Sequence, residues 1–415
     1  MANYLTQDSV VQLRQLLGHL VSADNMERAQ AEQQLNQFWM TEQPNALLLG
    51  LTHLARHEAA EDIRSFSAVL FRRLAFKSPT NLTSSGESLA VAVWDTVLDS
   101  TRSRCMQELL LSLKDEPAGT VLHKLSDTIA ELYKNTVSRG QPWPTLETFL
   151  FELCSAPVAD RRDCAFRIFA AIPSILERQP PENVLSAFME RLGDESAAVR
   201  LSSMRACVAF LMEADVRIRT GFATVMPQML RVLVDLMEQQ DDTSVNDALT
   251  IFIELAERLP KLFRTILVEL VGSCIEILSD KVKYEERTRQ SALELLLTLC
   301  EASPSMMKKV PNFAGTLVPL CLMMMAELED DESWYTTDDP AQDDSDENYI
   351  ICEQAMDRLA RALGGPHVLP ASFQYIPDML RSNAWAQRHA ALMAISSIAE
   401  GCAKIMEKEL GKVIE

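Results

Sequence analysis

The sequence predicts an all-α protein built from repeated helical units, and its length, composition and periodicity each indicate that class. At 415 residues the chain is too long for one ordinary compact core, so either several domains or an elongated repeat array is expected. Only 13 residues are Gly, which leaves few positions for the positive-φ turns of β-hairpins. Leu, Ala, Met, Glu and Arg are abundant, and these residues favour helix.

The periodicity is a local pattern that recurs along the chain: a polar turn, an Arg, a small residue three positions later, and then apolar residues at helical spacing. The small residue lets the two helices of a hairpin approach to about 8–10 Å. Two weaker copies carry Lys124 and Asn246 at the Arg position, and a ninth copy carries Cys352. The remaining copies begin at Arg28, Arg64, Arg162, Arg200, Arg289 and Arg388.

A second amphipathic stretch precedes these helices, as in residues 45–56, 145–153, 222–237 and 262–278. Each unit is therefore a helical hairpin, which cannot bury its apolar face alone and must stack on its neighbours. The repeat intervals range from 36 to 63 residues, and the two longest locate insertions. The sequence predicts a HEAT-repeat α-solenoid, a superhelical array of about nine helical hairpins.

Counting the units divides this single solenoid, residues 1–415, into successive parts. Residues 1–140 hold repeats one to three, and residues 141–325 hold repeats four to seven. Residues 326–349 form an acidic loop inserted in repeat eight, and residues 350–415 complete repeats eight and nine.

Composition excludes several classes of protein. The formal net charge of −20 argues against direct nucleic-acid binding, which depends on Lys and Arg, and it favours a basic protein partner. The nine Cys lie singly in helical patterns without a C-x-x-C, so reduced and buried thiols are expected. The longest uncharged apolar run has 10 residues, whereas a bilayer span needs about 20, so no membrane insertion is expected. The amino terminus lacks a secretory pattern, so a soluble monomer of the cytosol or nucleus is expected.

Motifs for catalysis are missing from the sequence. There is no Walker A, G-x-G-x-x-G or G-x-S-x-G, so neither an enzyme nor a cofactor is predicted. The stretch from His57 to Glu61 begins like H-E-x-x-H but ends in Glu. His53 and His57 are four residues apart without a third ligand nearby, which favours surface histidines over a metal site.

The acidic segment is the strongest local feature of composition. Eleven of the 21 residues from Glu327 to Glu347 are Asp or Glu, and none is Lys or Arg. Such a composition is typical of a disordered spacer. Trp334 and Tyr335 at its centre favour a contact element instead, because aromatic residues flanked by charge are typical of binding hot spots.

Five motifs in order along the chain resemble the karyopherin-β nuclear transport receptors, and most closely their importin beta-three (importin-five type) subgroup. These motifs are RSFSAVLFRRL at 64–74, WPTLETFLF at 143–151, LEDDESW at 328–334, AMDRLARALGGPHVLP at 355–370 and AWAQRHAALMAISSIAEGC at 384–402. The middle of the chain, residues 175–285, is similar mainly through its HEAT pattern.

The resemblance implies a receptor that binds basic cargo proteins with nuclear localisation signals and passes nuclear pores by contacting Phe-Gly nucleoporins. It implies cargo release when the GTP form of the small GTPase Ran binds, and shuttling between cytoplasm and nucleus. Receptors of this family carry about twenty repeats. The chain is therefore expected to be the amino-terminal portion of one.

The resemblance also implies two sets of contact residues. The second helices of the first repeats receive Ran in this family, which here implies contacts on the helices that open at Arg28 and Arg64. Glu32, Arg72 and Arg73 are the individual contacts that follow. From composition alone, Arg72 and Arg73 indicate a solvated helix face, and that alternative stays open.

The second set comes from the acidic loop that touches a basic patch of Ran in the eighth repeat of importin-β relatives. The matching positions are Glu329, Asp330, Asp331, Glu332, Trp334, Asp338 and Asp339. The second acidic half, residues 343–347, exceeds the shorter loops of some relatives. For that half, a solvated spacer and a contact element both stay open.

Two other functions stay open at this point. A HEAT scaffold, such as a phosphatase regulatory subunit, would bind its partners without nucleotide dependence. An export receptor would bind cargo more tightly with Ran-GTP. The irregular intervals and the acidic insertion favour a karyopherin over a scaffold of regular repeats.

Overall fold

A computed structural model of the chain describes residues 4–79, 91–328 and 347–414, with side chains as far as residue 407. Within these ranges the regular secondary structure is helical, without strands. The chain divides into two compact units, residues 1–184 with 205–213 and residues 185–204 with 214–415. The expected boundaries between groups of repeats stay predictions.

Unit 1 consists of short helices that follow one another with brief turns. Its helices are α1 Gln7–Leu20, α2 Asn25–Gln34, α3 Pro44–His57, α4 Glu61–Ala75, α5 Val93–Thr96, α6 Asp99–Asp115, α7 Gly119–Ser138, α8 Pro144–Cys154 and α9 Ala159–Ala171. A π-helical turn, Leu35–Trp39, extends α2, and a 3-10 helix, Pro173–Arg178, follows α9. The helices α10 Pro181–Arg191 and α11 Ala197–Glu213 each have residues in both units.

Unit 2 continues the same organisation. Its helices are α12 Val216–Phe222, α13 Met226–Gln239, α14 Asp242–Arg258, α15 Leu267–Ser279, α16 Glu286–Ala302, α17 Pro304–Met307, α18 Phe313–Met325, α19 Asn348–Leu363, α20 Gly365–Leu380 and α21 Trp385–Ile414. The 3-10 helices Ala223–Val225 and Pro260–Thr265 precede α13 and α15.

Consecutive helices pack as hairpins in both units. In unit 1 the pairs are α1 with α2, α3 with α4, α6 with α7, and α8 with α9. In unit 2 they are α13 with α14, α15 with α16, α18 with α19, and α20 with α21. The helices α10 and α11 are the corresponding pair along the chain between them.

Within each unit the hairpins stack in two rows. First helices pack on first helices, as in α3 on α6 and α15 on α18, and second helices pack on second helices, as in α4 on α7 and α14 on α16. Each copy of the repeated pattern opens a second helix. The predicted HEAT-repeat class with about nine hairpins is confirmed.

The small residue of the repeated pattern lies in the core, as expected. Ala31 is 3 % exposed, and in the other copies that begin with Arg the residue is 0 % exposed: Ser67, Ala165, Ser203, Ala292 and Ala391. A larger side chain at these positions would have no space between the packed helices.

Helix ends follow local chemistry. The Asp24 carboxylate caps α2 by accepting from the Met26 backbone N–H at 2.7 Å, and Asp241 caps α14 by accepting from Ser244 at 3.1 Å. Pro44 and Pro144 stand in the first turns of α3 and α8. Proline has no backbone N–H, and in the first turn of a helix that N–H would have no acceptor within the helix.

Candidate partner-binding surfaces

The Arg side chains of the repeated pattern bind the turn of their own hairpin. Arg64 Nη1 donates to the backbone oxygens of Glu58 at 3.0 Å and Ala59 at 2.9 Å. Arg388 Nη1 donates in the same way to Ser382 at 2.8 Å and Asn383 at 3.0 Å. Arg28, Arg162 and Arg200 also donate to turn carbonyls five or six residues earlier. The guanidinium group therefore satisfies carbonyls that the first helix leaves without an intrahelical partner.

Sequence reasoning missed this role because the acceptor is backbone and has no signature in the sequence. The sequence signature of a HEAT repeat is instead an Asp in the turn, six residues before the Arg. Among the copies of the repeated pattern that begin with Arg, only Arg200 has an Asp at that spacing, Asp194. In the structure Arg200 Nη1 donates to the backbone oxygen of Asp194 at 2.9 Å. The Asp194 carboxylate accepts from the Ser196 backbone N–H at 3.0 Å and lies 3.3 Å from Arg191 Nη1.

Arg64 has a second partner in the next hairpin. Its Nε and Nη2 donate to the two carboxylate oxygens of Glu116 at 2.8 and 2.9 Å, and the Glu116 side chain is 2 % exposed. The hydrogen bond and charge of Glu116 raise the pKa of Arg64. Glu116 also accepts from the Ala118 backbone N–H at 2.9 Å, so the pair fixes the turn between α6 and α7. As Ran contacts, Arg28 and Arg64 stay predictions.

The other three residues expected to contact Ran differ in their surroundings. Arg72 Nη1 lies 3.5 Å from the Asp127 carboxylate on α7, which also accepts from Arg167 Nε on α9 at 3.0 Å. Arg72 therefore belongs to a polar row across three second helices. Arg73 and Glu32 are exposed, and neither has an ion pair within the described part of the chain.

The acidic residues expected to contact Ran, Glu329, Asp330, Asp331, Glu332, Trp334, Asp338 and Asp339, lie outside the described residues. Their flanks are described. Glu327, just after α18, accepts from Arg289 Nη1 at 3.0 Å and Nη2 at 3.1 Å. The Asn348 side chain, at the start of α19, donates to the same Glu327 at 3.0 Å, and its backbone N–H donates to Glu286 at 3.1 Å. Both ends of the acidic segment are thus held against α16.

The pair of Arg289 and Glu327 repeats the arrangement of Arg64 and Glu116. In each case an Arg of the repeated pattern reaches a Glu within two residues of the end of the first helix of the next hairpin. After Glu116, two residues lead to the start of α7. After Glu327, the acidic segment leads to the start of α19. The insertion therefore occupies an ordinary turn position of the repeat.

A cleft of about 590 Å³ opens beside Glu327. Its walls come from α18 and α20 and include Pro319 and the exposed side chains of Met323 and Tyr375, which are 64 % and 37 % exposed. Arg289 forms part of its floor. A volume of this size lies in the range of about 300–1,000 Å³ that is typical of ligand sites.

The thiols do not form a reactive site. All nine Cys are free and buried. Burial raises the pKa of Cys105 to about 12 and that of Cys164 to about 11. At neutral pH such groups are protonated and are poor nucleophiles.

The histidine pair on α3, His53 and His57, lies near Glu108, a carboxylate that is already paired with Arg56. The rings of His53 and His57 are 4.7 Å apart, and His57 Nε2 lies 3.9 Å from Glu108, which already accepts from Arg56 at 2.9 Å. Burial lowers the pKa of His53. Across the described ranges no three His, Cys, Asp or Glu side chains converge as ligands for a metal ion. No helix among the described residues combines the length and apolar character that a bilayer crossing requires.

Comparisons with known proteins give one consistent result. A family model described as "IPO5-like, TPR repeats" matches residues 117–273, and one described as "Importin repeat" matches residues 281–370. Importin subunit beta-3 of Saccharomyces cerevisiae is 32 % identical over 411 residues, which cover 97 % of this chain and 37 % of that relative. The chain belongs to the karyopherin-β family.

Solved structures of a karyopherin support the same assignment. The structure of Kap121p bound to RanGTP superposes with a TM-score of 0.81 at 28 % identity and covers 99 % of this chain and 38 % of that chain. The structure of Kap121p bound to Nup53p gives a TM-score of 0.80 at 29 % identity, with the same coverage of 99 % and 38 %. This karyopherin chain thus spans little more than a third of the length of its relatives.

The subgroup expected from the sequence motifs, the importin beta-three type, is confirmed by the yeast relative. One family model refers to TPR repeats, which like HEAT repeats are helical hairpins. The intervals of 36 to 63 residues exceed the TPR period of about 34 residues and fit HEAT units.

Proposed function

We propose that this chain is part of a nuclear import receptor that binds cargo and Ran-GTP and carries its cargo through nuclear pores. The observation that supports the proposal best is the match over 99 % of the chain to Kap121p in complex with RanGTP. The complex of Kap121p with Nup53p supports a nucleoporin partner for this chain as well. Shuttling between nucleus and cytoplasm, action as a monomer and the absence of catalysis belong to the same proposal.

The acidic segment is proposed as a contact for basic surfaces of Ran or cargo. Its 21 residues include eleven Asp or Glu and no Lys or Arg. One exposed ion pair contributes only about 0–1 kcal/mol. Clustered carboxylates act mainly by raising the rate of encounter and by selecting basic partners, and salt weakens both effects. The first half, residues 329–334, is the proposed contact, and for residues 343–347 contact and spacer stay alternatives.

The residues near the amino terminus are proposed to act in two ways. Glu32 and Arg73 are exposed and are the side chains proposed for direct contact with Ran. Arg28, Arg64 and Arg72 already have partners within the chain. They stay proposed contacts of Ran, and through these partners they also hold the second helices α2 and α4 in place.

Release of cargo requires coupling between two binding events. If Ran-GTP lowers the affinity for cargo by a given factor, cargo must lower the affinity for Ran-GTP by the same factor. An export receptor would show the opposite sign. Cargo affinity measured with and without Ran-GTP therefore distinguishes the two directions of transport.

The deciding experiment is a pull-down of Ran by this chain with the GTPase loaded with a non-hydrolysable GTP analogue or with GDP. We expect capture of the GTP form only, and capture that weakens between low and physiological salt. Equal capture of both forms, or of neither, would refute the proposal. The same pull-down is repeated with variants of this chain in which the acidic residues 329–332 are neutralised.

A further inference from the structure

Unit 2 carries a cluster of unpaired cations on a chain whose net charge is −20. Residues 258–268 contain three Lys or Arg and no Asp or Glu, and residues 302–326 contain two Lys and no Asp or Glu. The five side chains are exposed and have no ion pair within the described residues. We call this set the basic edge: Arg258, Lys261, Arg264, Lys308 and Lys309.

The hydrogen bonds between α14 and α16 place the two halves of the basic edge side by side. Thr288 at the start of α16 donates to Asp242 at the start of α14 at 2.9 Å, and Ser291 donates to Asn246 at 2.7 Å. The two helices are therefore parallel and in register, and each has 17 residues. Packed helices lie about 8–10 Å apart, so the carboxyl ends of α14 and α16 are neighbours, and the connections that carry the cations begin at these two ends.

Helix length separates this edge from the acidic end of the same hairpins. A helix of 17 residues spans about 25 Å. The Debye length at physiological ionic strength is about 8 Å. The carboxylates at the start of α14 and α16 therefore act only weakly on the cations at the other end, where Glu257 and Glu301 are the adjacent carboxylates along the chain. Glu301 is already paired with Arg358.

A cleft of about 350 Å³ adjoins the basic edge between α17, α18 and α20. Four of the side chains that line it carry N–H donors: Lys308, Asn312, His367 and Gln374. Among the described residues that line this cleft, none carries a carboxylate. The cleft is therefore suited to a group that accepts hydrogen bonds and carries negative charge.

We propose that the basic edge is a docking surface for an acidic peptide segment of a protein partner, with one carboxylate of that segment in the cleft beside Lys308 and His367. The remaining carboxylates of the segment lie along Arg258, Lys261 and Arg264. This surface shares no residue with the acidic segment, and the proposal does not depend on the transport function proposed above.

A peptide fits the surface better than a nucleic acid does. Duplex DNA carries one negative charge per about 1.7 Å of axis, so even a short duplex brings more charge than five cations neutralise. The surplus would meet a protein that is itself strongly acidic. A short peptide with a few Asp or Glu confines its charge to the edge.

The test measures fluorescence anisotropy of a labelled dodecapeptide with alternating Glu and Ser, against the same peptide with Gln in place of Glu. We expect binding of the Glu peptide alone, and weaker binding when salt rises from low to physiological concentration. Lys308→Glu with Lys309→Glu is expected to reduce the affinity about tenfold, because each charge-paired contact becomes a repulsion. The matched control is Lys281→Glu with Arg287→Glu, two exposed cations at the other end of the same hairpins, and it should change the affinity less than twofold.

Several outcomes would overturn the proposal. Absence of binding by the Glu peptide, equal binding of the Gln peptide, or equal loss in the control pair would each do so. A labelled oligonucleotide that binds more tightly and responds to the same variants would assign the edge to nucleic acid instead. Self-association of the protein that Lys308→Glu with Lys309→Glu abolishes would assign it to a second copy of this chain.

Discussion

Three consecutive hairpins of unit 2 carry different charges at their two ends. These hairpins are α13 with α14, α15 with α16, and α18 with α19. At the starts of the second helices stand Asp241, Asp242, Glu285 and Glu286, followed along the chain by the acidic segment. At the other ends stand the five cations of the basic edge. Asp242 and Glu286 in the first turns, and Arg258 in the last turn of α14, carry charges opposite to the partial charges of the helix ends, which stabilises a helix by about 0.3–1 kcal/mol each.

The difference also concerns how tightly the side chains are held. At the acidic end, Glu327 accepts from both Arg289 and Asn348. These hydrogen bonds fix the residue at which the acidic segment begins. At the basic edge, the cations lack ion pairs within the described residues. One end therefore combines a structural role with a proposed contact, whereas the other is free to bind. Four predictions test this contrast.

The first prediction concerns the base of the acidic end. Arg289→Met leaves the carboxylate of Glu327 without its main partner. Breaking a buried ion pair costs about 3–5 kcal/mol, and because Glu327 is 25 % exposed we expect a loss of about 2 kcal/mol in the free energy of unfolding. Urea denaturation followed by circular dichroism measures it. Arg287→Met, an exposed neighbour on the same helix, is the control, and an equal loss there would contradict the structural role of Arg289.

The second prediction concerns the acidic segment itself. Changing Glu329, Asp330, Asp331 and Glu332 to Gln and Asn is expected to weaken binding of GTP-loaded Ran or of a basic cargo about tenfold at low salt, because several favourable charge contacts are lost. Helicity should not change. Titration calorimetry measures the affinity. The same neutralisation of the acidic residues in 343–347 separates contact from spacer: an unchanged affinity there, beside a loss in the first half, would identify the second half as spacer.

The third prediction concerns the structural independence of the basic edge. Lys308→Ala with Lys309→Ala is expected to change the free energy of unfolding by less than about 0.5 kcal/mol, because both side chains are exposed and lack ion pairs in the described ranges. The same denaturation assay applies. A large loss would show that the cations stabilise the connection, and the contrast with the acidic end would disappear.

The fourth prediction concerns Arg358, which is held by carboxylates near the basic edge. Arg358 donates to Glu294 at 2.6 and 2.9 Å and to Glu301 at 2.8 Å, and the hydrogen bond from Arg358 lowers the pKa of Glu301. A lowered pKa in the folded state contributes stability above the unfolded pKa, which is lost as the pH falls through the folded pKa. Arg358→Met should therefore flatten the acid side of the stability profile.

We expect this fourth effect to be below about 1 kcal/mol, because the carboxylate of Glu301 is 45 % exposed and solvent screens the pair. Thermal unfolding measured at several pH values below neutrality records it. A profile that keeps its acid slope in the variant would show that other carboxylates carry the pH dependence.

Much of the fold follows from local patterns. The Arg and the small residue three positions later mark each second helix, and the buried Ser67 and Ala292 show why that spacing is required. The position of the acidic segment also follows, since counting units places it between α18 and α19. These features could be predicted because helical periodicity and close packing act over a few residues.

The candidate contacts could be predicted only in part. Arg64 and Arg72 have the residue type and helix expected of partner contacts, yet Arg64 binds turn carbonyls and Glu116, and Arg72 lies beside Asp127. The sequence separation between Arg64 and Glu116 is 52 residues. No local pattern specifies which acidic side chain of the next hairpin will lie within reach.

The sequence by itself determined the helical-hairpin repeat, the family and the strongly acidic segment, because each is expressed in residue spacing or composition. Only the tertiary structure decided that the repeated Arg binds backbone carbonyls, that Arg289 and Asn348 meet on Glu327, and that α14 and α16 lie parallel with their carboxyl ends side by side. The reason is physical: these features depend on which hairpins stack side by side and in what register. That register is fixed by packing across many residues and not by any single stretch of sequence.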